Sequence, residues 1–256
     1  MPKTNLALIV TSLHARSGKT LLARVLAEHF ILAGSKPLIY DTDAIERRLC
    51  ACFPYDAVVL DIGRVRDQMA LFDTLARPFP ADRIVDVSHQ SSAKFFDLMC
   101  DTDFIAETKA NQVTPVVLYI VDRDRDSFEE AMRLRECLVD CPFVLVENEF
   151  LPRPSAATRQ GSAYRALETH QLRISMPALD PALADVIDDA GLSLSALMRQ
   201  PLSRDNRPRQ GGELSFDARA DLRAWLIKLL RDVHHMIRAI DRPATLPLPI
   251  LTEAAV

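Results

Sequence analysis

Glycine is scarce in this sequence, which contains 7 glycines among 256 residues. An average share of about 7% would give roughly eighteen glycines in a chain of this length. A glycine-rich ligand loop is therefore nearly excluded. Any phosphate-binding loop must be built mostly from residues that carry a Cβ atom, and these enter left-handed backbone conformations only at a cost in energy.

Long apolar runs and an excess of basic charge are also missing. The longest early apolar run, Leu6 to Val10, is too short for a signal sequence or a membrane span, so we expect no membrane association. The formal net charge is -4. A broad basic surface for nonspecific DNA binding is therefore not expected, although a local basic patch that contacts DNA is left open.

The cysteines are few and follow no spacing that is typical of a zinc site or a thioredoxin-like site. The five are Cys50, Cys52, Cys100, Cys137 and Cys141. An odd number without a recognisable pattern predicts reduced, mostly buried thiols in a cytoplasmic protein.

Short β-branched or apolar runs alternate with longer segments of helical period, which predicts an α/β fold with a mostly parallel sheet and helices on both faces. Seven strands are predicted: Asn5–Thr11, Pro37–Asp41, Ala57–Ile62, Arg83–Val87, Thr114–Val121, Phe143–Glu147 and Leu172–Ser175. Lys19 to Ala33 is predicted to be a helix that ends at Gly34, and Ser127 to Leu138 a helix with Ser127 as its N-cap and Glu130 completing a capping box.

The composition changes after the last predicted strand. We expect a nucleotide-binding domain over residues 1–198, a linker over 199–214 with four arginines, a helix over 215–242 and a proline-containing tail over 243–256. The linker arginines could contact DNA phosphates or simply be solvated. The apolar stripe of the helix favours packing on the sheet, with association between chains as the alternative.

The most informative segment places Ser17, Gly18, Lys19 and Thr20 between the first strand and the first helix. Amides at a helix N-terminus favour an anion. Lys19 could reach phosphate oxygens of ATP, and the Thr20 hydroxyl could bind Mg²⁺. The alternative is that Ser17 only caps a helix and Lys19 is solvated.

At this segment the chain resembles the ParA/MinD-type deviant-Walker P-loop ATPases, in particular their plasmid-stability and conjugation-associated branch, with a degenerate loop. Gly18, Lys19 and Thr20 match the family loop, but His14 stands at its signature lysine and Ala15 and Arg16 at two glycines. The resemblance implies a P-loop NTPase-like fold. Thr11 and Leu21, which flank the loop, complete the predicted nucleotide site.

Carboxylates follow three of the predicted strands. Asp41 and Asp43 form a D-x-D pair, and the resemblance implies that Asp43 orients the attacking water, with Asp41 beside the metal. The alternative is that both cap the next helix. For the aspartate on the magnesium side, Asp86 is favoured by its spacing and Asp61 is kept as a second candidate. Ligands of α/β sheets bind at the carboxyl ends of the strands.

Two residues near the carboxyl ends of later strands complete the predicted site. The resemblance implies that Asn148 reads the adenine edge and that Pro177 lines the base pocket; a turn asparagine is the alternative for Asn148. An amide side chain can donate and accept, as adenine requires.

The sequence thus predicts an ATP- and Mg²⁺-binding switch or weak, partner-stimulated ATPase in plasmid or chromosome partitioning, conjugation or cellular positioning, with a protein partner and a homodimer as expectations. Two alternatives remain. One is a non-hydrolysing scaffold that binds a protein partner, and the other is a metabolic relative similar to dethiobiotin synthetase.

Overall fold

The computed structural model describes residues 5–170, 172–203 and 213–240. Seven strands are present: β1 (Asn5–Thr11), β2 (Leu38–Asp41), β3 (Ala57–Val59), β4 (Arg83–Asp86), β5 (Val113–Val121), β6 (Phe143–Asn148) and β7 (Arg173–Met176). They form one sheet in the order β3-β2-β4-β1-β5-β6-β7, and every neighbouring pair is parallel. The α/β fold with a seven-stranded parallel sheet is as predicted.

Helices cover both faces of this sheet. They are α1 (Lys19–Leu32), α2 (Arg48–Cys52), α3 (Val65–Ala76), α4 (Ser92–Asp101), α5 (Phe104–Ala110), α6 (Arg125–Cys137), α7 (Ala156–Gln160), α8 (Ser162–Glu168), α9 (Pro181–Ala190), α10 (Leu194–Arg199) and α11 (Phe216–Ile240). Alternate residues of β1 belong to two separate cores, with Leu6, Leu8 and Val10 in one and Ala7 and Ile9 in the other. A strand that is buried on both faces needs the continuous apolar run seen in the sequence.

Strand β1 lies inside the sheet and has both of its hydrogen-bonding edges filled. Ala7 is opposite Arg83 of β4 on one side and Pro115 of β5 on the other. The chain leaves β1 toward one edge of the sheet to form β2 and β3, and it later crosses to the other side for β5 to β7. The loop after β1 therefore lies where the strand order changes direction, which is the usual ligand position in such sheets.

Helix α1 is held by buried polar contacts as well as by apolar packing. The Arg24 guanidinium donates to the carbonyl oxygens of Ile187 at 3.3 Å and Leu192 at 2.7 Å. The Glu28 carboxylate accepts from the Ser195 amide at 2.9 Å and from its hydroxyl. A buried charge is tolerated only when it is paired or hydrogen-bonded. These contacts fix the helix that follows the predicted phosphate loop against α9 and α10.

The C-terminal helix α11 packs on the same core as α1. Its buried residues include Leu222, Leu226, Leu229 and Val233, which share one apolar cluster with Leu22 and Leu26 of α1 among others. The predicted helix over 215–242 is thus close to the observed one, except that residues 241–242, like the predicted tail, lie outside the described residues. Of the linker arginines, Arg199 ends α10 and the other three also lie outside them.

The prediction that Ser127 caps a helix is wrong. Helix α6 begins at Arg125 and its N-cap is Asp124. The Ser127 hydroxyl accepts a hydrogen bond from the Asp122 amide at 3.0 Å, so it stabilises the turn before the helix. Glu130 is ion-paired with Arg133 one turn later and does not complete a capping box.

The prediction of uniformly reduced cysteines is also wrong. Cys100 at the end of α4 and Cys137 at the end of α6 are joined by a disulfide, with a distance of 6.2 Å between their Cα atoms. Cys50, Cys52 and Cys141 are free. The sequence could not show this pairing, because the ends of two helices separated by a strand and a helix are brought together only by the fold. Within the described ranges, no helix combines the length and apolar character needed to cross a membrane.

Candidate functional site

The loop between β1 and α1 has a positive φ angle at two of its backbone positions. Gly18, which precedes the first residue of α1, has φ +99, and Arg16 has φ +58. A Cβ atom on Gly18 would lie 2.8 Å from Asn148 Nδ2 and 3.0 Å from Met176 Cε. Glycine is therefore favoured at position 18 by its backbone conformation, and a Cβ atom there would also displace the side-chain ends of Asn148 and Met176. At Arg16 the same class of conformation is adopted by a residue with a Cβ atom.

The Lys19 side chain folds back over the loop. Its ammonium donates to the His14 carbonyl oxygen at 2.8 Å and to the Ser12 hydroxyl at 3.0 Å. The side chain is buried, and this burial lowers the Lys19 pKa, while the charges of Asp86 and Asp43 act in the opposite direction. The ammonium thus lies against the loop itself, in contact with Ser12 and His14.

The Thr20 side chain, in the first turn of α1, meets Asp86 at the carboxyl end of β4. The Thr20 hydroxyl donates to Asp86 Oδ2 at 2.6 Å, and Asp86 is opposite Val10 in the β1–β4 register. Burial raises the Asp86 pKa to about 7, against the effect of the Thr20 hydrogen bond. The second oxygen, Oδ1, is buried and has no hydrogen-bond partner. A buried polar atom without a partner needs a physical explanation, and a water molecule or ion bound to it is one such explanation.

The strand order separates the two candidates for the aspartate on the magnesium side. Asp86 ends β4, which is next to β1. Strand β3 is shorter than predicted and lies at the sheet edge, with β2 and β4 between it and β1. Asp61 follows it in a turn, where its carboxylate accepts from the Gly63 amide at 2.8 Å and pairs with Arg64 at 3.2 Å. The strand order therefore favours Asp86, because the strand that precedes Asp61 is not adjacent to β1.

The carboxylates of the D-x-D pair are both engaged by backbone amides. Asp41 is buried, and its two oxygens accept from the amides of Asp43, Leu49 and Cys50 at 2.9 to 3.2 Å. Its pKa is nevertheless raised, because burial outweighs these hydrogen bonds. Asp43 Oδ1 accepts from the amides of Ile45 and Glu46. The geometry thus favours a turn-forming role for both residues, and it gives Asp41 little capacity left for a metal.

Asn148 contacts the loop itself. Its amide nitrogen donates to the Ser17 carbonyl oxygen at 2.9 Å, and its amide oxygen accepts from the Phe150 amide at 3.0 Å. Both ends of the side chain are therefore used to hold the loop and the turn after β6. The Pro177 carbonyl oxygen accepts from Trp225 Nε1 at 2.7 Å, which ties the segment after β7 to α11.

The remaining predicted residues differ in exposure. Ala15 and Arg16 are exposed at the loop tip, and Ser17 is buried, with its hydroxyl 2.6 Å from that of Ser12. Thr11 is buried and bonded to the hydroxyl of Ser92 at 3.0 Å, while Leu21 packs on the core. The half-buried His14 has its Nε2 atom 3.7 Å from Asp124 Oδ2.

Sequence reasoning missed Ser12, which bridges Lys19 and Ser17. The signal available was its position directly after the first apolar strand. It also missed Thr42, whose hydroxyl donates to the Asp86 carbonyl oxygen at 3.2 Å and accepts from the Ser88 amide at 2.8 Å. Hydroxyls at strand ends commonly tie neighbouring loops together, but the sequence does not say which loops are neighbours.

The comparisons with known proteins give only distant structural likenesses. A solved structure of the MinC:MinD cell division protein complex of Aquifex aeolicus is similar at 15% identity and a TM-score of 0.42, over 95% of this chain and 98% of that one. The MinD cell division protein of Aquifex aeolicus is similar at 13% identity and a TM-score of 0.41, over 95% and 100%. No protein-family model and no curated protein matches the chain. The strand order itself shows an α/β fold with a seven-stranded parallel sheet.

Proposed function

We propose that this chain binds ATP with Mg²⁺ at the loop between β1 and α1 and acts as a nucleotide-dependent switch with weak ATPase activity. The observation that supports this most is the meeting of three groups at the carboxyl end of the sheet. These are the folded-back Lys19 ammonium, the Thr20 hydroxyl and the buried Asp86 carboxyl with its unpartnered oxygen.

The oxygen atoms of Thr20 and Asp86 fit the preference of Mg²⁺ for hard ligands. Asp86 Oδ1 is buried and has no partner, so it has free capacity for a metal or for a water molecule on one. These two residues would hold the ion, which when bound neutralises charge that develops on the phosphates. Asp41 is not included, because backbone amides occupy its oxygens.

The residues of the chain itself supply binding and orientation. The Lys19 ammonium would exchange its contacts with the loop for phosphate oxygens, and the amides at the start of α1 would favour the same anion. Asp43 uses Oδ1 for its turn, so orientation of a water would fall to its other oxygen. Asn148 holds the loop through Ser17, and this contact supports a positioning role more than direct contact with adenine.

Weak turnover is proposed because the loop lacks the positive charge that the resembled family supplies at its signature lysine. His14 stands there, next to Ala15 and Arg16. Catalysis of phosphoryl transfer rests mainly on positioning and on charge stabilisation. A protein partner or a second copy would then supply the missing charge or order the loop. We propose cellular positioning, DNA partitioning or conjugation as the setting of such a switch.

The test is a calorimetric titration with Mg-ATP. Lys19→Ala is expected to weaken binding at least about tenfold, since a charge-assisted hydrogen bond contributes about 1.5–3 kcal/mol. Lys36→Ala is the matched control, because Lys36 is exposed and lies beyond the far end of α1. Equal affinity of Lys19→Ala and the unchanged protein, with both folded by circular dichroism, would overturn the proposal.

A non-hydrolysing scaffold is the second candidate, and the packing of the loop favours it. Lys19, Ser12 and Ser17 satisfy one another, and Asn148 locks the loop from the opposite side. Such a loop is stable without a nucleotide. A phosphate-release assay separates the two candidates: affinity for Mg-ATP without turnover, with and without DNA or lipid, supports the scaffold, whereas stimulated turnover supports the switch.

A further inference from the structure

We propose that His14, Asp122 and Asp124 form a second cation site, beside the phosphate loop, that takes a divalent transition metal. One ligand atom from each residue lies within 4.8 Å of the others. His14 belongs to the loop after β1, and the two aspartates belong to the turn between β5 and α6. Because β1 and β5 are neighbouring parallel strands, the turns that follow them lie side by side at the carboxyl end of the sheet.

The His14 imidazole supplies an observation that points to a ligand. Its Nε2 atom is shielded from solvent and has no hydrogen-bond partner. It faces Asp124 Oδ2 at 3.7 Å. This distance is too long for a hydrogen bond. It suits two ligands of one ion, because metal–nitrogen and metal–oxygen bonds of about 2.0–2.2 Å allow ligand atoms to lie up to roughly 4 Å apart.

The turn after β5 is held in place by contacts that leave ligand oxygens available. The Ser127 hydroxyl accepts from the Asp122 amide at 3.0 Å, which fixes the start of the turn. Asp122 Oδ1 accepts from the Arg123 amide at 2.6 Å, and Arg123 Nε lies 3.6 Å from Asp124 Oδ1. Asp124 Oδ2 is the oxygen that faces His14. The exposed Asp124 side chain can rotate to bring the three ligand atoms closer together.

The donor set decides the kind of cation. One imidazole nitrogen with two carboxylate oxygens suits Zn²⁺ and its first-row neighbours, while Mg²⁺ prefers oxygen ligands alone. The two carboxylates also carry two negative charges, of which the Arg123 guanidinium offsets one. The excess negative charge favours a cation. This site shares no residue with the pair Thr20 and Asp86. It is therefore independent of the proposed magnesium position.

A cation here would act directly on the loop. The His14 carbonyl oxygen is the 2.8 Å acceptor of the Lys19 ammonium. Coordination of the His14 side chain would fix the backbone that holds Lys19 and join it to the turn after β5. The site would thus link the arrangement of the phosphate loop to the availability of a metal, at the position where the resembled family carries a lysine.

The test uses the full chain without a histidine tag and without nucleotide, with Zn²⁺ in calorimetry and Co²⁺ in visible absorption. We expect one ion per chain. We expect Asp124→Asn to weaken the affinity at least about tenfold, because even groups that only support a ligand contribute about 10–100-fold. Asp126→Asn is the matched control, since Asp126 is an exposed neighbour outside the cluster. It should bind the metal as the unchanged protein does.

Three outcomes would overturn the proposal. The first is no binding of either ion, which would leave His14 and Asp124 as a simple ion pair. The second is equal affinity in Asp124→Asn and Asp126→Asn. The third is a Co²⁺ spectrum that shows thiolate ligands, which would place the ion at cysteines. Zn²⁺ affinity is measured without nucleotide and Mg-ATP affinity without Zn²⁺, so failure of the metal site and failure of the proposed nucleotide site are scored separately.

Discussion

Replacement of Asp86 by asparagine is expected to stabilise the nucleotide-free protein at neutral and alkaline pH, and to change its stability little under acidic conditions. The Asp86 carboxyl is buried at the end of β4, and this burial raises its pKa from 3.8 to about 7. Asparagine keeps an oxygen for the Thr20 hydroxyl and places an amide where the protonated carboxyl has its second oxygen. The variant therefore imitates the protonated form.

The size of the effect follows from the two pKa values. Below the ordinary value of 3.8, the carboxyl is protonated in both the folded and the unfolded protein. As pH rises, the unfolded chain releases its proton first, so Asp86 lowers the free energy of unfolding progressively until the folded carboxyl also ionises at about 7. At 1.36 kcal/mol per pH unit the full penalty is about 4 kcal/mol, which is an upper limit.

The assay is urea denaturation of both proteins at several values between about pH 4 and pH 8, with a chelator and without nucleotide. The difference in unfolding free energy between Asp86→Asn and the unchanged protein should grow as pH rises. Asp61→Asn is the control, since Asp61 is only partly buried and lies away from β1. A difference that is absent at pH 8, or equal at every pH, would refute the argument that Asp86 is a dry, ionisable carboxyl.

Gly18→Ala should lower the free energy of unfolding by about 2 kcal/mol or more in urea denaturation, and Gly34→Ala should lower it less. Both glycines have positive φ, but of the two only Gly18 is crowded, by Asn148 and Met176. Equal losses would contradict the steric argument. Arg16→Gly should leave stability unchanged or raise it by up to about 1 kcal/mol, because relief of the left-handed strain is offset by unfolded-state entropy; a clear loss would mean that the Arg16 side chain stabilises the loop. Burial lowers the pKa of His234 from its ordinary value of 6.5. The neutral, buried imidazole therefore leaves the free energy of unfolding undiminished above pH 6.5, and this free energy falls as pH drops below that value. His234→Gln should remove this part of the pH dependence of stability in thermal melts.

The strands could be predicted from the sequence because a parallel strand that is covered on both faces must be apolar at every position. The run from Leu6 to Val10 is an example, and all its residues are buried. The ends of a strand at the side of the sheet are harder to predict from hydrophobicity. Strand β3 ends at Val59, although apolar residues follow at Leu60 and Ile62, because only β2 pairs with it.

Only the part of the site that is formed by a contiguous sequence motif could be predicted. The loop from Ser17 to Thr20 is a contiguous motif, so its residues were found. The choice between Asp61 and Asp86 depends on which strand neighbours β1, and hydrophobic periodicity does not encode strand order. The partners of Asn148 are likewise distant in sequence, since its amide contacts the Ser17 carbonyl oxygen across the sheet edge.

The position of β1 also determines how this protein must be made. The ribosome synthesises β1 before either of its neighbours, and it can complete its hydrogen bonds only after Arg83 and then Pro115 have emerged. Until then an apolar strand with two open edges is exposed, and such segments are prone to pair with other chains. The strand that precedes the Lys19 loop therefore needs protection from such pairing while the rest of the sheet is synthesised.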